Sequence, residues 1–304
     1  MRIAERFSPS ARRQHTVENL FNKKKVFIFG PAGGIGHEFL LQAAEHGAEI
    51  VACVRPGGTA LKDTDKIIGT VEADLAYLEQ IEKAFENALE LLGRIDIIIN
   101  CAGTAYEKPI TDLSVTKITS FININITSAV LIYQKAMELL PPDGHLIMVA
   151  SKDGQWNFSD LYSAAKDSVY RLMLGARRIY SIMPGRENLN FHCIMFGIVP
   201  DTNLFKLENG FTTEQIAVAR LLPTTARKAV QTSIQRVAKG DFAIYPTIDA
   251  WAPLPTFDDL VGSCDVILRE AMSQCGTAKA QTGKTPSMAE KFIRLAWKYI
   301  CNIY

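Results

Sequence analysis

Short apolar runs alternate with amphipathic stretches along most of the chain. Runs typical of strands buried in a parallel sheet lie at 25–30, 49–54, 95–100, 146–150 and 190–197, with shorter candidates at 67–71 and 241–245. Segments with apolar residues at helical spacing lie at 39–44, 77–92, 114–140 and from 160 to about 183. Because strand and helix alternate, the pattern predicts an α/β fold built on a doubly wound parallel sheet.

The pattern favours one domain with an appendage at each end. Residues 1–24 are polar and indicate a flexible arm or an oligomer contact. We expect the α/β domain over 25–250, including a substrate loop at about 197–223, and a C-terminal helical extension over 251–304. Within that extension, 287–304 has the spacing of an amphipathic helix that packs on the protein's own core or on a subunit partner.

Composition narrows the class of partner. Hydrophobic residues make up 48% of the 304 residues, charged residues 21%, and the net charge is +1, which argues against nucleic acid or an anionic surface as the main partner. No apolar run approaches the length of a membrane span, and residues 1–25 lack a secretory signal. The six cysteines contain no CxxC pair. We expect a cytoplasmic protein that binds a small molecule and has no metal site.

The residues that end the predicted strands are suited to ligand binding, and ligands bind beyond the carboxyl ends of strands in open α/β sheets. They are Gly30, Arg55, Asp74, Asn100 with Gly103, Ser151 and Gly197. Gly30, Gly34 and Gly36 form a GxxxGxG loop between a strand and a helix, where a backbone without side chains can approach a pyrophosphate at the helix N-terminus.

A second constellation follows the strand at 146–150. Tyr162 and Lys166 are four residues apart on the next helix and therefore share one face. An ammonium beside a phenol stabilises the phenolate and lowers its pKa towards neutrality, while the hydroxyl of Ser151 could hold a substrate oxygen. The alternative is an ordinary strand–loop–helix with an exposed tyrosine and lysine.

Taken in order, these motifs resemble the short-chain dehydrogenase/reductase family over about residues 25–250. The family's TGxxxGxG is similar to 29–36, its NNAG to 100–103, and its PG…T segment to 196–202. The resemblance implies a Rossmann-like fold and a catalytic tetrad of Asn125, Ser151, Tyr162 and Lys166. Asn123 competes with Asn125 for the first of these positions.

The resemblance also implies a role for each residue. Lys166 would bind the nicotinamide ribose and lower the pKa of Tyr162, which would exchange a proton with the substrate oxygen held by Ser151. Asn125 would help to hold a water. The implied cofactor-binding residues are Gly30, Gly34, Ile35, Gly36, Arg55, Asp74, Leu75, Asn100, Ala102, Gly103, Tyr162, Lys166, Gly197, Val199 and Thr202.

Three residues depart from the family pattern. Phe29 replaces a threonine, Cys101 an asparagine and Phe196 a proline. The first two changes remove a hydroxyl and an amide that tie the cofactor loops together in the family. They leave the proton-transfer residues intact.

The end of the second strand predicts which cofactor is preferred. Val54 stands where NAD-using members carry an aspartate, and Arg55 follows it, where a guanidinium can pair with a 2′-phosphate. We therefore expect NADP(H) to be preferred over NAD(H). Apolar side chains between Gly197 and Pro223, and before Tyr162, favour a hydrophobic substrate; they are Trp156, Phe158, Ile198, Val199, Leu204, Phe205, Leu207 and Phe211.

Two classes of function remain open at this level. One is an enzyme that interconverts a carbonyl and a secondary alcohol with NAD(P)(H), as a homodimer or homotetramer. The other is a nucleotide-binding regulatory or scaffolding protein that keeps the fold without turnover. The complete tetrad favours the enzyme.

Overall fold

The computed structural model describes residues 16–58, 65–105, 110–152, 160–197, 199–202 and 224–247. Its strands are β1 (Lys25–Phe29), β2 (Glu49–Val54), β3 (Ile67–Glu72), β4 (Ile97–Asn100), β5 (His145–Ser151), β6 (Asn190–Phe196) and β7 (Ala243–Ile244). They form a seven-stranded sheet in the order β3-β2-β1-β4-β5-β6-β7, with every neighbouring pair parallel. The predicted Rossmann-like α/β class is confirmed.

Helices cover both faces of this sheet. They are α1 (Val17–Phe21), α2 (Gly34–Glu45), α3 (Glu79–Leu92), α4 (Val115–Ile122), α5 (Ser128–Leu139), α6 (Asp160–Tyr180) and α7 (Ala226–Ala238). A π-helical turn, Asn123–Thr127, joins α4 to α5, and a 3₁₀ turn covers Ile110–Asp112. The helix predicted over 114–140 is therefore one continuous helical stretch with a local change of winding.

Two apolar layers hold the sheet. On one face α3, α5 and α6 pack over an aromatic cluster in which the ring of Phe27 lies 4.5 Å from that of Phe29 and 5.1 Å from that of Phe85. On the other face α1, α2 and α7 cover the alternate residues of the same strands, with Phe39 and Leu40 fully buried. Because both faces are covered, the central strands are apolar at nearly every position.

The N-terminal segment differs from the expected arm. Thr16 caps α1, since its hydroxyl accepts a hydrogen bond from the Asn19 amide at 3.2 Å. Leu20 and Phe21 are buried in the layer that contains α7. Residues 16–24 therefore belong to the folded domain, whereas 1–15 and the C-terminal extension over 251–304 lie outside the described residues.

The helical stretch Val115–Leu139 differs from the expectation that no segment has the length and apolar composition of a membrane span. It has 25 residues and a mean hydropathy of 1.4, so by length and composition alone it could cross a bilayer. Of its most apolar window, 28% is buried inside the protein. Apolar core helices of globular proteins meet the same criterion, so this is weak evidence for a membrane segment.

Candidate active site

The glycine loop lies at the carboxyl edge of the sheet, where the neighbouring strands β1 and β4 end and the strand order changes direction. Gly30 has a φ of +73°, which favours glycine, and a methyl group there would come within 2.7 Å of the Ala102 nitrogen. A methyl group on Gly36 would lie 2.1 Å from the Gly30 carbonyl oxygen. These contacts bring the glycine loop directly against the segment that follows β4.

Backbone contacts join these two loops despite the unusual residues Phe29 and Cys101. The Cys101 amide donates to the Phe29 carbonyl at 3.0 Å. The Phe29 ring is fully buried and lies 5.4 Å from that of Phe85, so it faces the core. Burial raises the pKa of the Cys101 thiol above its ordinary value, which keeps the thiol protonated.

Asn100 fixes the turn after β4. Its side-chain oxygen accepts a hydrogen bond from the Ala102 amide at 3.1 Å, and its side-chain nitrogen lies 3.5 Å from the sulfur of Met148. Asn100 is 5% exposed, so its side chain stabilises the backbone of the loop and does not face solvent. The position of Ala102 against Gly30 depends on this bond.

The segment after β6 closes over the start of α2. A methyl group on Gly34 would lie 3.1 Å from Thr202, whose hydroxyl donates to the Val199 carbonyl at 2.8 Å. Val199 is buried. The Gly197 amide donates to the hydroxyl of Thr247 at 3.0 Å. Thr202 therefore borders the glycine loop, and the cofactor-binding roles of Gly197, Val199 and Thr202 stay a prediction.

The ends of β2 and β3 supply the outer part of the site. Arg55 is exposed, and within the described part of the chain its guanidinium makes no ion pair. Asp74 is half-buried, and its carboxylate accepts a hydrogen bond from the Ala76 amide at 3.0 Å, while its own amide donates to Gln80 at 2.8 Å. Leu75 is buried beneath this turn.

Lys166 and Asn125 meet behind the site. A methyl group placed on Gly103 would lie 3.0 Å from the Lys166 ammonium and 3.1 Å from the Asn125 side-chain oxygen, so a larger residue there would force these neighbours to shift. Both side chains are buried. The Lys166 ammonium donates to the Val149 carbonyl at 3.4 Å, and burial lowers its pKa to about 8.

The π-helical turn separates the two asparagines that compete for the tetrad. The Asn125 oxygen accepts a hydrogen bond from the Thr104 amide at 3.1 Å, and its nitrogen donates to the Phe121 carbonyl at 3.0 Å. Asn123 points elsewhere, because its nitrogen donates to the Ala76 carbonyl at 3.0 Å. Of the two, Asn125 is the one whose oxygen, like the Lys166 ammonium, lies beside Gly103. Such turns often occur at functional sites.

Tyr162 and Ser151 form the accessible side of the same group. The Lys166 ammonium lies 5.6 Å from the centre of the Tyr162 ring, one helical turn away on α6. The Ser151 hydroxyl donates to the Phe196 carbonyl at 3.3 Å. Tyr162 and Ser151 are both half-buried, unlike the buried pair behind them. The Tyr162 side chain is therefore partly accessible to solvent, whereas the neighbouring Lys166 ammonium is buried.

The arrangement fits a dinucleotide. Gly33 caps α2 without a side-chain hydrogen bond, and a methyl group there would meet nothing nearer than the Gly30 oxygen at 3.8 Å. The first amides of α2 thus face an open backbone surface suited to a pyrophosphate. Lys166 lies beside Gly103, which follows β4 on the other side of the change in strand order, where such folds hold the far end of the dinucleotide.

Two further residues at this edge were not recognised from the sequence. Lys152, directly after Ser151, is 6% exposed, and its ammonium lies 4.8 Å from the centre of the Tyr245 ring. Burial lowers the pKa of Lys152. Thr247 is 1% exposed and holds Gly197. The available signal was their position at strand ends, next to Ser151 and just beyond β7.

Most of the apolar residues expected to line the substrate lie outside the described residues. They are Trp156, Phe158, Ile198, Leu204, Phe205, Leu207 and Phe211. The structure therefore describes the four tetrad candidates and the glycine loop, and the substrate preference stays a prediction.

Comparison with known proteins agrees with this geometry. The short chain dehydrogenase family matches residues 24–209. An uncharacterized oxidoreductase of Staphylococcus aureus is 28% identical over 181 residues, which are 53% of this chain and 77% of the relative. A similar uncharacterized oxidoreductase of Staphylococcus epidermidis is 26% identical over 158 residues, 49% of this chain and 68% of its own.

Solved structures share the fold. A short chain dehydrogenase from Burkholderia cenocepacia in complex with NADP has a TM-score of 0.61 at 18% identity, covering 76% of this chain and 100% of its own. A short-chain dehydrogenase/reductase from Burkholderia phymatum in complex with NAD has a TM-score of 0.62 at 19% identity, covering 75% and 90%. Since the family match covers more than half of the chain, this protein belongs to the short-chain dehydrogenase family of oxidoreductases.

Proposed function

We propose that the protein interconverts a carbonyl and a secondary alcohol on a hydrophobic small molecule, with NADP(H) preferred over NAD(H) and Tyr162 as general acid and base. The observation that carries the proposal is the buried Lys166 ammonium 5.6 Å from the Tyr162 ring. When bound, the nicotinamide supplies the hydride chemistry, and the protein supplies position and electrostatics.

Lys166 makes Tyr162 a competent acid. A phenol near its reference pKa of about 10 exchanges protons poorly at neutral pH. A positive charge on the next helical turn stabilises the phenolate and lowers that pKa. Because Lys166 is 5% exposed, solvent screens its charge weakly. Asn125, whose oxygen lies beside the same glycine as the ammonium, would help to hold a water that links Lys166 to solvent.

Ser151 holds the substrate oxygen in this scheme. Its hydroxyl, anchored to the Phe196 carbonyl, is half-buried at the end of β5 and can turn to donate to a carbonyl or alcohol oxygen. In the reduction direction Tyr162 gives its proton to that oxygen, and in the oxidation direction it takes the proton back. Lys166 stays protonated in both directions.

Arg55 supports the preference for NADP(H). Its exposed guanidinium follows Val54 at the end of β2, where the ribose 2′ position lies in folds of this kind. Val54 offers no acceptor for a free 2′-hydroxyl. A charge-assisted hydrogen bond from Arg55 to a 2′-phosphate is worth roughly 1.5–3 kcal/mol, which corresponds to an affinity ratio of about ten- to a hundred-fold.

Dissociation constants test the cofactor. NADPH and NADH are titrated by fluorescence into the wild type and the double variant Val54→Asp/Arg55→Ala, with Arg178→Ala on the exposed end of α6 as the matched control. We expect the wild type to bind NADPH more tightly and the double variant to lose that preference. Tighter binding of NADH by the wild type, or an unchanged ratio in the double variant, would refute Arg55 as the selector.

Turnover tests the reaction. Hydrophobic ketones and the matching secondary alcohols are offered with NADPH or NADP⁺, beside carboxylate-bearing analogues of similar size. We expect reduction or oxidation of members of the hydrophobic set. Tight cofactor binding without turnover of any compound would instead favour the nucleotide-binding protein that keeps the fold and lacks chemistry.

Assembly and location belong to the same proposal. We infer a homodimer or homotetramer in the cytoplasm, on the sequence arguments given above. Sedimentation equilibrium of the purified full chain tests the first, and fractionation of cells that produce it tests the second.

A further inference from the structure

The neighbouring strands β2 and β3 end side by side at the carboxyl edge. In their parallel register Val54 pairs with Glu72, and each is the last residue of its strand. Paired residues of adjacent strands are about 4.7–4.9 Å apart and point to the same face. Glu72 is therefore one strand spacing from Val54, the residue that precedes the proposed selector Arg55.

The face of the sheet to which Glu72 points matters as much as its distance from Val54. Ile50 and Ala52 of β2 are buried on the side covered by α2, and Val54 continues this alternation. Glu72, paired with Val54, thus projects to the α2 side of the sheet. That is the side on which the glycine loop and the first amides of α2 lie.

The two charges at this corner are opposite and independent. Glu72 and Arg55 are both exposed, and within the described part of the chain neither forms an ion pair. An Arg55–Glu72 salt bridge is therefore not what holds either side chain. Each is positioned to act on a group that approaches the end of β2.

We propose that Glu72 is a second cofactor-selecting residue, which opposes Arg55 by accepting from a free ribose hydroxyl and by repelling a 2′-phosphate. This inference rests on the proposed function, because it concerns the same nicotinamide cofactor. Val54 leaves the 2′-hydroxyl without an acceptor on β2, and Glu72 supplies one from β3. The wild type then accepts both cofactors, with a preference set by the balance of the two charges.

The test changes the charge of Glu72 alone. Glu72→Gln keeps the shape and removes the negative charge, and Glu90→Gln, exposed near the far end of α3, is the matched control. We expect Glu72→Gln to raise the ratio of the NADH to the NADPH dissociation constant about three- to tenfold, since a 2′-phosphate bound there would no longer be repelled by a like charge. Glu90→Gln should leave the ratio unchanged.

Salt separates a charge effect from a change of shape. The shift caused by Glu72→Gln should shrink at about 0.5 M salt, where exposed charges are screened within a few ångströms. A ratio that is unchanged, or that moves towards NADH, would overturn the role of Glu72. So would a shift that salt leaves untouched.

A parallel Arg55→Ala variant keeps this inference distinct from the proposed function. If Arg55→Ala weakens NADPH binding while Glu72→Gln has no effect, Arg55 is the sole selector and the proposed function stands without Glu72. If the wild type binds neither NADPH nor NADH, the proposed function falls and the role of Glu72 falls with it.

Discussion

The polar side chains at the two edges of the sheet have different surroundings. At the amino edge the buried side chains of Asp96, His145 and His192 form hydrogen bonds with other residues of the protein. At the carboxyl edge several charged or hydroxyl groups are held near a cleft, and one of them is buried at an energetic cost. The contrast separates residues that stabilise the fold from residues that we expect to act on ligands.

Asp96 and a histidine pair represent the amino edge. Asp96 is 6% exposed, accepts from the Lys25 amide at 2.8 Å and pairs with Arg94 at 3.0 Å. His192 donates through Nδ1 to the Asp241 carbonyl at 2.6 Å, and its Nε2 lies 3.1 Å from Nδ1 of His145. Since a carbonyl can only accept, Nε2 of a neutral His192 accepts from His145.

Lys166 represents the carboxyl edge. Its ammonium is buried among the Val149 carbonyl, Asn125 and the Tyr162 ring, and no carboxylate ion pair with Lys166 occurs within the described residues. The consequence is the low pKa of about 8. Sites of catalysis commonly hold groups whose pKa is shifted in this way.

Among the substitutions considered, Lys166→Met should have the largest combined effect on turnover and on stability. We expect turnover to fall by at least about 10²-fold, because Tyr162 loses the cation that tunes it. At pH 7 the free energy of unfolding should rise by about 3 kcal/mol, since a pKa lowered from 10.5 to about 8 measures the cost of burying the charge. Chemical denaturation beside steady-state kinetics measures both.

The lowered pKa of Lys166 also predicts the direction in which stability changes with pH. The unfolded chain keeps the proton of Lys166 up to about pH 10.5, whereas the folded protein releases it above about pH 8. The free energy of unfolding should therefore increase as the pH rises from about 8 to about 10.5, because burial of Lys166 then no longer costs the burial of a charge. This gain should be lost as the pH falls through about 8. Loss of stability in Lys166→Met, with none in the exposed control Lys228→Met, would contradict this account.

Asp96→Ala should lower the stability of the protein and leave the turnover of each folded molecule unchanged. We expect the free energy of unfolding to fall by about 1–3 kcal/mol, because the Lys25 amide is left without its acceptor in a buried place. Turnover per folded molecule should not change, since the amino edge is remote from Tyr162. The exposed pair of Asp167 and Arg171 provides the control, and Asp167→Ala should cost at most about 0.5 kcal/mol.

The pH profile of carbonyl reduction sharpens the role of Lys166. In the proposed reaction, reduction needs Tyr162 protonated and Lys166 positively charged, so both requirements fail in the same direction as pH rises. We expect kcat/KM to be level below about pH 8 and to fall about tenfold per pH unit above it. A profile that stays level to pH 10 would exclude a required ammonium with this pKa.

Cys101→Ser should have the smallest effect. The loops that Cys101 joins are already held by the bond from its amide to the Phe29 carbonyl at 3.0 Å. The side chain makes no hydrogen bond within the described residues. We expect cofactor dissociation constants to change by less than about threefold, or roughly 0.6 kcal/mol. A larger loss would mean that the thiol itself contributes to the cleft.

Periodicity was sufficient to predict the central sheet and insufficient for α7. The buried positions of α7 recur at helical spacing but consist largely of alanine and serine, such as Ala226, Ala229 and Ser233, so their hydrophobic signal is weak. Helix α1 is too short to be recognised alone, because Leu20 and Phe21 acquire their partners only when the second layer forms. At the other end, β7 pairs over Ala243–Ile244 alone, shorter than the predicted strand.

The candidate site divides in the same way. Local motifs identified Tyr162 and Lys166, since four residues on a helix fix their common face. The choice between Asn123 and Asn125 depends on the π-helical turn, which is set by bonds to Ala76 and Phe121. Sequence spacing contains no information about Ala76, which is 47 residues from Asn123 along the chain, and the same holds for the pairing of Glu72 with Val54 across two strands.

The central claim is that Tyr162 transfers the proton in an otherwise ordinary dinucleotide site, and Tyr162→Phe tests it most directly. The substitution removes one hydroxyl from a half-buried ring and leaves Lys166, Asn125 and the glycine loop in place. We predict an unchanged NADPH dissociation constant and an unchanged unfolding midpoint, with turnover lower by about 10²–10⁴-fold. Turnover close to that of the wild type would contradict the account.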